Sequence, residues 1–516
     1  MSEAATAAEL LVAGVGDAPA IGAPGRPDMT FDELRTHVKR TVTALNALGV
    51  GRNDRVAIVL PNGPEMATAF VAVAAAATTA PLNPAYRREE FDFYLSDLGA
   101  RALLVQCGSD SPARAAAAAL HIPVLEIAVS EGAPAGAFEI AGGSGAAAGE
   151  AAADGGFAAA SDVALVLHTS GTTSRPKIVP LTHANITASA RNICGTLHLT
   201  PADRCLNVMP LFHIHGLMAA VLATLRAGAS VFCTPGFNAL KFFAWMDEAA
   251  PSWYTAVPTM HQAILARADR NRETVEAAAL RFVRSSSASL PAPVMEQVEE
   301  LFGCPLVEAY AMTEAAHQMT CNPLPPGTRK PGTVGPAAGP EVAIMDAAGE
   351  LLPPGGRGEV VIRGPNVTLG YENNPEANAA AFTGGWFRTG DQGVMDGDGY
   401  VTITGRLKEI INRGGEKVSP LEVDAVLMEH PAVQQVVTFA MPHDKLGEEV
   451  AAAIVLREGA AAQERELRDF CSARLADFKV PRKVLFLEEI PKGPTGKLQR
   501  IGLAAKLGLK PRVERS

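Results

Sequence analysis

An α/β fold is what this chain of 516 residues predicts: a large N-terminal domain of layered α/β sheets with a β-barrel-like subdomain, followed by a small α+β C-terminal domain. Three observations predict it. Helix-spaced apolar residues alternate with short runs of Val, Ile and Leu as far as Val307. After Gly358 the pattern changes to short β runs separated by turns rich in Gly and Asp. From Ser419 onward a compact series of helices and strands begins. The length also exceeds what one ordinary core supports, so a large unit with a smaller appendage fits.

The elements follow in order. Leu34, Val38, Val42 and Leu45 fall at helical spacing over residues 31–48, Gly49 closes that helix, and Arg55-Val-Ala-Ile-Val-Leu60 reads as the next strand. Residues 65–77 and 91–98 read as helices and residues 102–105 as a strand. Residues 131–160 are dominated by Ala and Gly, which bury too little side-chain surface to define a packed element, and read as a surface linker. Strand signals return at Val163-Ala-Leu-Val-Leu167 and continue through Val231, Trp253, Phe282 and Val307. Glu359-Val-Val-Ile362 and Tyr400-Val-Thr-Ile403 belong to the barrel-like part. The last unit reads as a helix to Met428, strands over 433–440 and 450–455, a helix over 464–475 and a strand over 484–486.

Composition excludes several classes of function. With 48% hydrophobic residues and a formal net charge of −10, the chain has no basic excess to hold nucleic acid or an anionic membrane. Its seven cysteines are odd in number, scattered and never spaced as CxxC, so neither a disulfide framework nor a zinc site is indicated and a reducing cytoplasm is the expected compartment. Residues 66–82 form the longest apolar stretch, but its Ala and Thr content gives little hydrophobic gain in lipid, and it reads as a buried core helix.

The segment His168-Thr-Ser-Gly-Thr-Thr-Ser-Arg-Pro-Lys177 directly follows a buried strand. Small side chains let backbone N–H groups and hydroxyls converge on phosphate oxygens, and Lys177 adds a point charge. Read alone, the segment fits either a phosphate-gripping loop or a hydroxyl-rich solvated turn, and it is not a GxxxxGK[ST] loop. It is followed in order by Tyr310-Ala-Met-Thr-Glu314, Thr389-Gly-Asp391, Gly405-Arg-Leu-Lys408, Arg413-Gly-Gly-Glu-Lys417 and Pro494-Thr-Gly-Lys497.

This ordered set resembles the adenylate-forming superfamily of acyl-CoA synthetases, luciferases and peptide-synthetase adenylation domains. The resemblance spans residues 31–500 and divides the chain into an N-terminal domain, 1–407, and a mobile C-terminal domain, 408–516. It implies ATP, Mg²⁺ and coenzyme A as cofactor and co-substrates. It also implies that Thr169, Ser170, Gly171, Thr172, Thr173 and Lys177 hold the β- and γ-phosphates, while Glu308, Ala309 and Tyr310 line the adenine pocket. Thr313 would lie near the α-phosphate and Glu314 would hold Mg²⁺, which suits a hard carboxylate oxygen. Asp391 would accept hydrogen bonds from both ribose hydroxyls, with Arg406 as a second ribose or phosphate contact.

Lys497 matches the lysine that bridges the carboxylate and the α-phosphate during adenylation. Two anions must approach there, and a desolvated ammonium offsets their repulsion by about 3–4 kcal/mol. Lys408 falls at the hinge; turning about it would exchange Lys497 for Arg413, Gly414, Gly415 and Lys417 on the coenzyme A side. One departure is Ile178, where relatives carry Gly after the loop lysine, which removes easy access to positive φ.

Pro210-Leu-Phe-His-Ile-His-Gly216 is the segment that lines the acyl pocket in relatives; His213 is the family's usual histidine and His215 an addition. A fatty-acid pocket would be walled by apolar side chains, yet the wall segments here are Arg284-Ser-Ser-Ser-Ala-Ser-Leu290 and Thr313-Glu-Ala-Ala-His317. Burying unpaired polar groups against hydrocarbon costs about 1–3 kcal/mol each, so the pattern predicts a small polar acid. Trp253-Tyr-Thr-Ala-Val-Pro258, Glu308-Ala-Tyr-Ala-Met-Thr-Glu314 and Ile411-Asn-Arg-Gly-Gly-Glu-Lys417 resemble the oxalyl-CoA synthetases of plants and fungi. That resemblance implies Ser289, His317 and His215, with Arg284 as a further cation, around oxalate. Malonate, aryl acids, medium-chain fatty acids and loading of a separate carrier protein are the alternatives.

Overall fold

Capping chemistry sets the first long helix. Thr30 accepts from the Glu33 N–H while Glu33 reaches back to the Thr30 N–H, and the helix Phe31–Ala47 buries Leu34, Val38, Val42 and Leu45 as the spacing requires. The computed structural model describes residues 4–142, 151–169, 176–492 and 498–509.

Two large sheets enclose a layer of buried helices. The first runs, in spatial order, Glu139–Gly142, Val124–Ala128, Ala102–Gln106, Arg55–Val59, Thr78–Pro81, Val163–His168, Ile178–Thr182. Its interior neighbours are parallel and both edge pairs antiparallel. The second runs His317–Cys321, Leu306–Met312, Phe282–Ser286, Trp253–Ala256, Arg204–Asn207, Ser230–Cys233, Pro19–Ala23, Arg26–Thr30, again parallel inside and antiparallel at the edges. Strands covered on both faces read as continuous apolar runs, which is why Val163-Ala-Leu-Val-Leu167 was conspicuous in the sequence.

The helix Pro64–Ala74 is buried at every residue but Glu65, and the segment His215–Leu222, wound with π-type hydrogen bonding, is buried throughout. The apolar stretch 66–82 is therefore a core helix that ends at Ala74 and re-enters the sheet as Thr78–Pro81. Among the described residues no helix is long and apolar enough to cross a membrane.

The expected linker over 131–160 holds more structure than its composition indicates. Ala135 and Phe138 are buried and Glu139–Gly142 adds an antiparallel edge to Val124–Ala128. One aromatic anchor is enough to seat a segment otherwise too small to pack.

A five-stranded antiparallel sheet comprises Glu341–Met345, Arg357–Arg363, Trp386–Met395, Phe382–Thr383 and Val401–Arg406. A further five-stranded sheet is made of the hairpin Ile411–Arg413 and Glu416–Val418 with Gly447–Leu456, Val433–His443 and Lys483–Phe486. The helices Pro420–Met428 and Glu464–Ser472 accompany it, as the sequence predicts; the hairpin lies outside that prediction. Its tip, Gly414 and Gly415, holds φ of 58° and 101°, which glycine adopts without steric cost.

Candidate active site

Strand Leu306–Met312 carries Glu308, Ala309 and Tyr310 and runs into the tight turn Thr313–Ala315. Across the cleft, register places Asp391 of Trp386–Met395 directly opposite Arg406 of Val401–Arg406. The Tyr310 hydroxyl donates to Asp391 Oδ2 at 2.5 Å and Arg406 Nε donates to Asp391 Oδ1 at 2.9 Å. Asp391 is buried and each of its oxygens keeps lone-pair capacity for another donor, such as a pair of vicinal hydroxyls. Its carboxylate, first among several causes, holds the Arg406 guanidinium firmly protonated, and burial with the same carboxylate pushes the Tyr310 phenol well up.

Glu308 is also buried; its Oε1 accepts the Leu290 N–H at 3.1 Å, and burial pushes its carboxyl up to about 8. Glu314 lies at the head of the strand, buried, with Oε1 accepting from the Tyr371 hydroxyl at 2.8 Å. Burial raises its carboxyl above the ordinary range despite that bond. Lys177 Nζ sits 4.2 Å from the centroid of the same Tyr371 ring. Thr169 and Lys177 bond to each other, the Thr169 N–H donating to the Lys177 carbonyl at 3.0 Å and the Lys177 N–H donating to Thr169 Oγ1 at 3.2 Å. Ile178 sits buried in the strand that pairs with His168, so the residue replacing the usual glycine is read there as β structure.

Among the described residues no group of three or more His, Cys, Asp and Glu side chains gathers as a metal cage. A lone buried carboxylate is nonetheless the donor set Mg²⁺ uses, with one or two protein carboxylates and the remaining positions filled by phosphate oxygens and water. Glu314 fits that ion, because a cation beside it would offset the burial that raises its carboxyl.

The turn after Glu314 is strained and over-determined. Ala316 and His317 hold φ of 46° and 96°, conformations that non-glycine residues adopt only under constraint. Ser189 Oγ donates to the Ala316 carbonyl, Asn366 Nδ2 to the Ala315 carbonyl and the Thr368 N–H to the Glu314 carbonyl, at 2.5, 2.8 and 2.7 Å. Met312 pairs with His317, so one hairpin sets Glu314 and His317 at its tip.

His317 stacks on His215 with ring centroids 4.9 Å apart. His215 Nε2 meets Thr255 Oγ1 at 2.7 Å and Arg284 Nη1 at 3.4 Å; its Nδ1 meets Ser287 Oγ at 3.0 Å. Arg284 is fully buried, and its Nη2 donates to Gln318 Oε1 at 3.2 Å. His213 is half-buried and its Nδ1 accepts the His215 N–H at 3.3 Å.

The structure thus brings together His215, His317 and Arg284 in one cluster, and Tyr310, Asp391 and Arg406 in another. Ser289 is exposed, and Ser287, two residues earlier, is the hydroxyl that reaches His215. Thr313 is half-buried beside Glu314 and Lys408 is exposed just past Arg406. Arg413 forms an ion pair with Glu449 at 2.6 Å, and the Gly414 N–H donates to the Leu446 carbonyl at 3.0 Å; Gly415 and Lys417 are exposed. Ser170, Gly171, Thr172, Thr173 and Lys497 lie outside the described residues.

Sequence reading missed Tyr371, Thr255, Ser287 and Gln318. Gln318 follows His317 directly and Thr255 lies within a run already singled out, but nothing in their spacing marked them. Tyr371 is brought to Glu314 only by the tertiary fold.

The AMP-binding enzyme family matches residues 10–372, and the AMP-binding enzyme C-terminal domain matches residues 422–497. The chain is 46% identical to an oxalate–CoA ligase of Arabidopsis thaliana, covering 94% of each chain. It is 44% identical to an oxalate–CoA ligase of Saccharomyces cerevisiae, covering 87% of this chain and 86% of that one. ATP-bound MatB from Rhodopseudomonas palustris, 30% identical, superposes with a TM-score of 0.86 over 97% of this chain and 98% of MatB. This chain belongs to the AMP-binding enzymes, as an ATP-dependent, adenylate-forming acyl-CoA synthetase.

Proposed function

We propose that this chain is an oxalate–CoA ligase of the cytoplasm, and the observation that carries the choice of acid is the polar cluster of buried Arg284, His215 and His317 with half-buried Ser287. A hydrocarbon tail would offer this polar wall and its buried guanidinium neither a hydrogen bond nor a counter-charge. A short acid with a second charged end satisfies them. The names of the Arabidopsis and yeast relatives support the same reading.

The reaction proceeds in two steps. Thr169 to Thr173 and Lys177 grip the β- and γ-phosphates, Glu308, Ala309 and Tyr310 flank the adenine, and Asp391, held by Tyr310 and Arg406, accepts the ribose hydroxyls. Mg²⁺ held at Glu314 would neutralise charge developing on the phosphates. One oxalate oxygen attacks the α-phosphorus, pyrophosphate leaves, and Lys497 offsets the added charge with Thr313 beside it. In the second step the coenzyme A thiolate attacks the adenylate's carbonyl carbon and AMP leaves with its electron pair.

Residues 408–516 act as the mobile unit. Turning about Lys408 replaces Lys497 at the site by the hairpin of Arg413, Gly414, Gly415 and Lys417, and His213 gates the acid pocket. The change of sheet between Arg406 and Ile411, with an exposed Lys408 between them, supports a pivot there. The test is a steady-state comparison of kcat/KM over oxalate, malonate, benzoate and octanoate. Oxalate is expected to lead by at least tenfold; a lead for benzoate or octanoate overturns the choice of acid.

A further inference from the structure

Arg284 is a buried cation that no carboxylate among the described residues neutralises. It is among the largest fully buried side chains, on strand Phe282–Ser286, facing the helical layer between the two large sheets. Its partners are a ring nitrogen of His215 at 3.4 Å and the side-chain carbonyl of Gln318 at 3.2 Å. Among the described residues no carboxylate forms an ion pair with it, and Nε has no hydrogen-bond partner. The Cys321 thiol also hydrogen-bonds with it and the Cys205 thiol lies nearby, but burial keeps both thiols neutral, and burial lowers the affinity of Arg284 for its own proton. A guanidinium stays charged in a protein interior, so an isolated one is costly unless an anion completes the site.

The neighbours show from which side that anion comes. Arginine only donates, so its approach to His215 Nε2 makes that nitrogen an acceptor, and the Thr255 hydroxyl at 2.7 Å fills the same role from the other side. The ring proton then resides on Nδ1 and donates to Ser287 Oγ at 3.0 Å. Ser287 is half-buried and held at φ 76°, a strained position that fixes where its own proton can point. Gln318 is itself braced, its Nε2 donating to Thr196 Oγ1 at 3.2 Å and to the Ala338 carbonyl at 3.1 Å, so Arg284 is held rigidly behind the histidine.

We infer that Arg284 is a positioning residue that acts through His215 and Ser287 to present a positive end to the non-reacting carboxylate, so that this synthetase selects acids carrying two negative charges over acids carrying one. The inference rests on the proposed oxalate activity and deepens it. It replaces direct contact of Arg284 with the acid by action through one imidazole.

The experiment uses the full chain with Mg·ATP and coenzyme A, the variants Arg284→Met and Arg284→Lys, and two substrates, oxalate and glycolate. Glycolate keeps the reacting carboxylate and replaces the other by an uncharged CH₂OH. In Arg284→Met, KM for oxalate should rise on the order of a hundredfold with kcat changed less than about tenfold, because the lost attraction is shared by ground and transition states. kcat/KM for glycolate should fall by far less, so selectivity collapses; Arg284→Lys should recover part of it.

A second readout separates positioning from structure. The melting temperature of ligand-free Arg284→Met should be no lower than that of the wild type, since an uncompensated buried charge has been removed. The rise produced by ATP should persist and the rise produced by oxalate should vanish. Equal losses for oxalate and glycolate, or a lower melting temperature with the ATP-induced rise also gone, overturn the inference. A wild-type enzyme that prefers glycolate to oxalate overturns the proposed function instead.

Discussion

Among the described residues Asp391 receives two side-chain donors, Tyr310 and Arg406, and Glu314 one, Tyr371, so these acidic residues of the proposed nucleotide site are oriented by neighbouring side chains. Glu308 differs from both. Its carboxyl is raised from an ordinary 4.5 to about 8 by burial, so the folded chain keeps a proton that the unfolded chain has lost between those values. The stability this contributes is full below the lower value and is lost as pH climbs through the upper one. Glu308→Gln retains the acceptor for the Leu290 N–H and cannot ionise. Thermal unfolding of the two proteins should therefore agree at about pH 4 and diverge at about pH 9, with the variant melting several degrees higher. Parallel melting curves across that range would show that Glu308 is not buried as a neutral acid. At this scale the sequence revealed residues that stand in ordered motifs: Asp391 after Thr389-Gly, Arg406 after Gly405, Glu314 after Thr313. It did not reveal Tyr371, Thr255, Ser287 or Gln318, because a hydroxyl or amide that matters only through a tertiary neighbour leaves no periodic trace.

Among the elements, helices with a capping box and a single apolar stripe were legible almost to their ends, as Phe31–Ala47 illustrates. The edge strand Glu139–Gly142 and the hairpin at Gly414 and Gly415 were not, since short edge pieces have too few residues to show alternation. Nor was the winding of His215–Leu222 legible, because a segment buried on every side shows no stripe. Gly216 lets this segment pass close to the turn before it: a Cβ there would stand 2.6 Å from the Pro210 carbonyl oxygen and 3.2 Å from Leu211 Cδ2. Gly216→Ala should destabilise the chain by about 1–3 kcal/mol and displace His215. KM for the acid should rise more than KM for ATP, as measured by varying each substrate in turn. An equal change in the two would detach this segment from the acid pocket.

For the whole molecule, the order of sheets explains why chemistry gathers where it does. The hairpin of Leu306–Met312 and His317–Cys321 forms one edge of a large sheet, and the Asp391–Arg406 pair closes over it from the antiparallel sheet. The alternation of helix and strand made the layered part legible in the sequence. The packing of one sheet against another is set by side chains far apart in the chain, such as Tyr310 and Asp391, which no local pattern connects. The proposed two-step reaction, with residues 408–516 turning between steps, makes the half-reactions separable. Lys497→Ala should lower the rate of adenylation by about 10²–10³-fold while leaving thioester formation from preformed adenylate within severalfold of wild type. Rapid-quench measurement of each half-reaction decides this, and equal loss in both steps would rule out a pivot at Lys408.

The most direct measurement is to incubate the enzyme with Mg·ATP and oxalate in the absence of coenzyme A, follow the products by mass spectrometry, and then add coenzyme A. The account predicts oxalyl-AMP and pyrophosphate in equal amounts before the addition, and oxalyl-CoA with AMP after it. Release of ADP and phosphate, or the absence of any adenylate with oxalate while a monocarboxylate forms one, would contradict it.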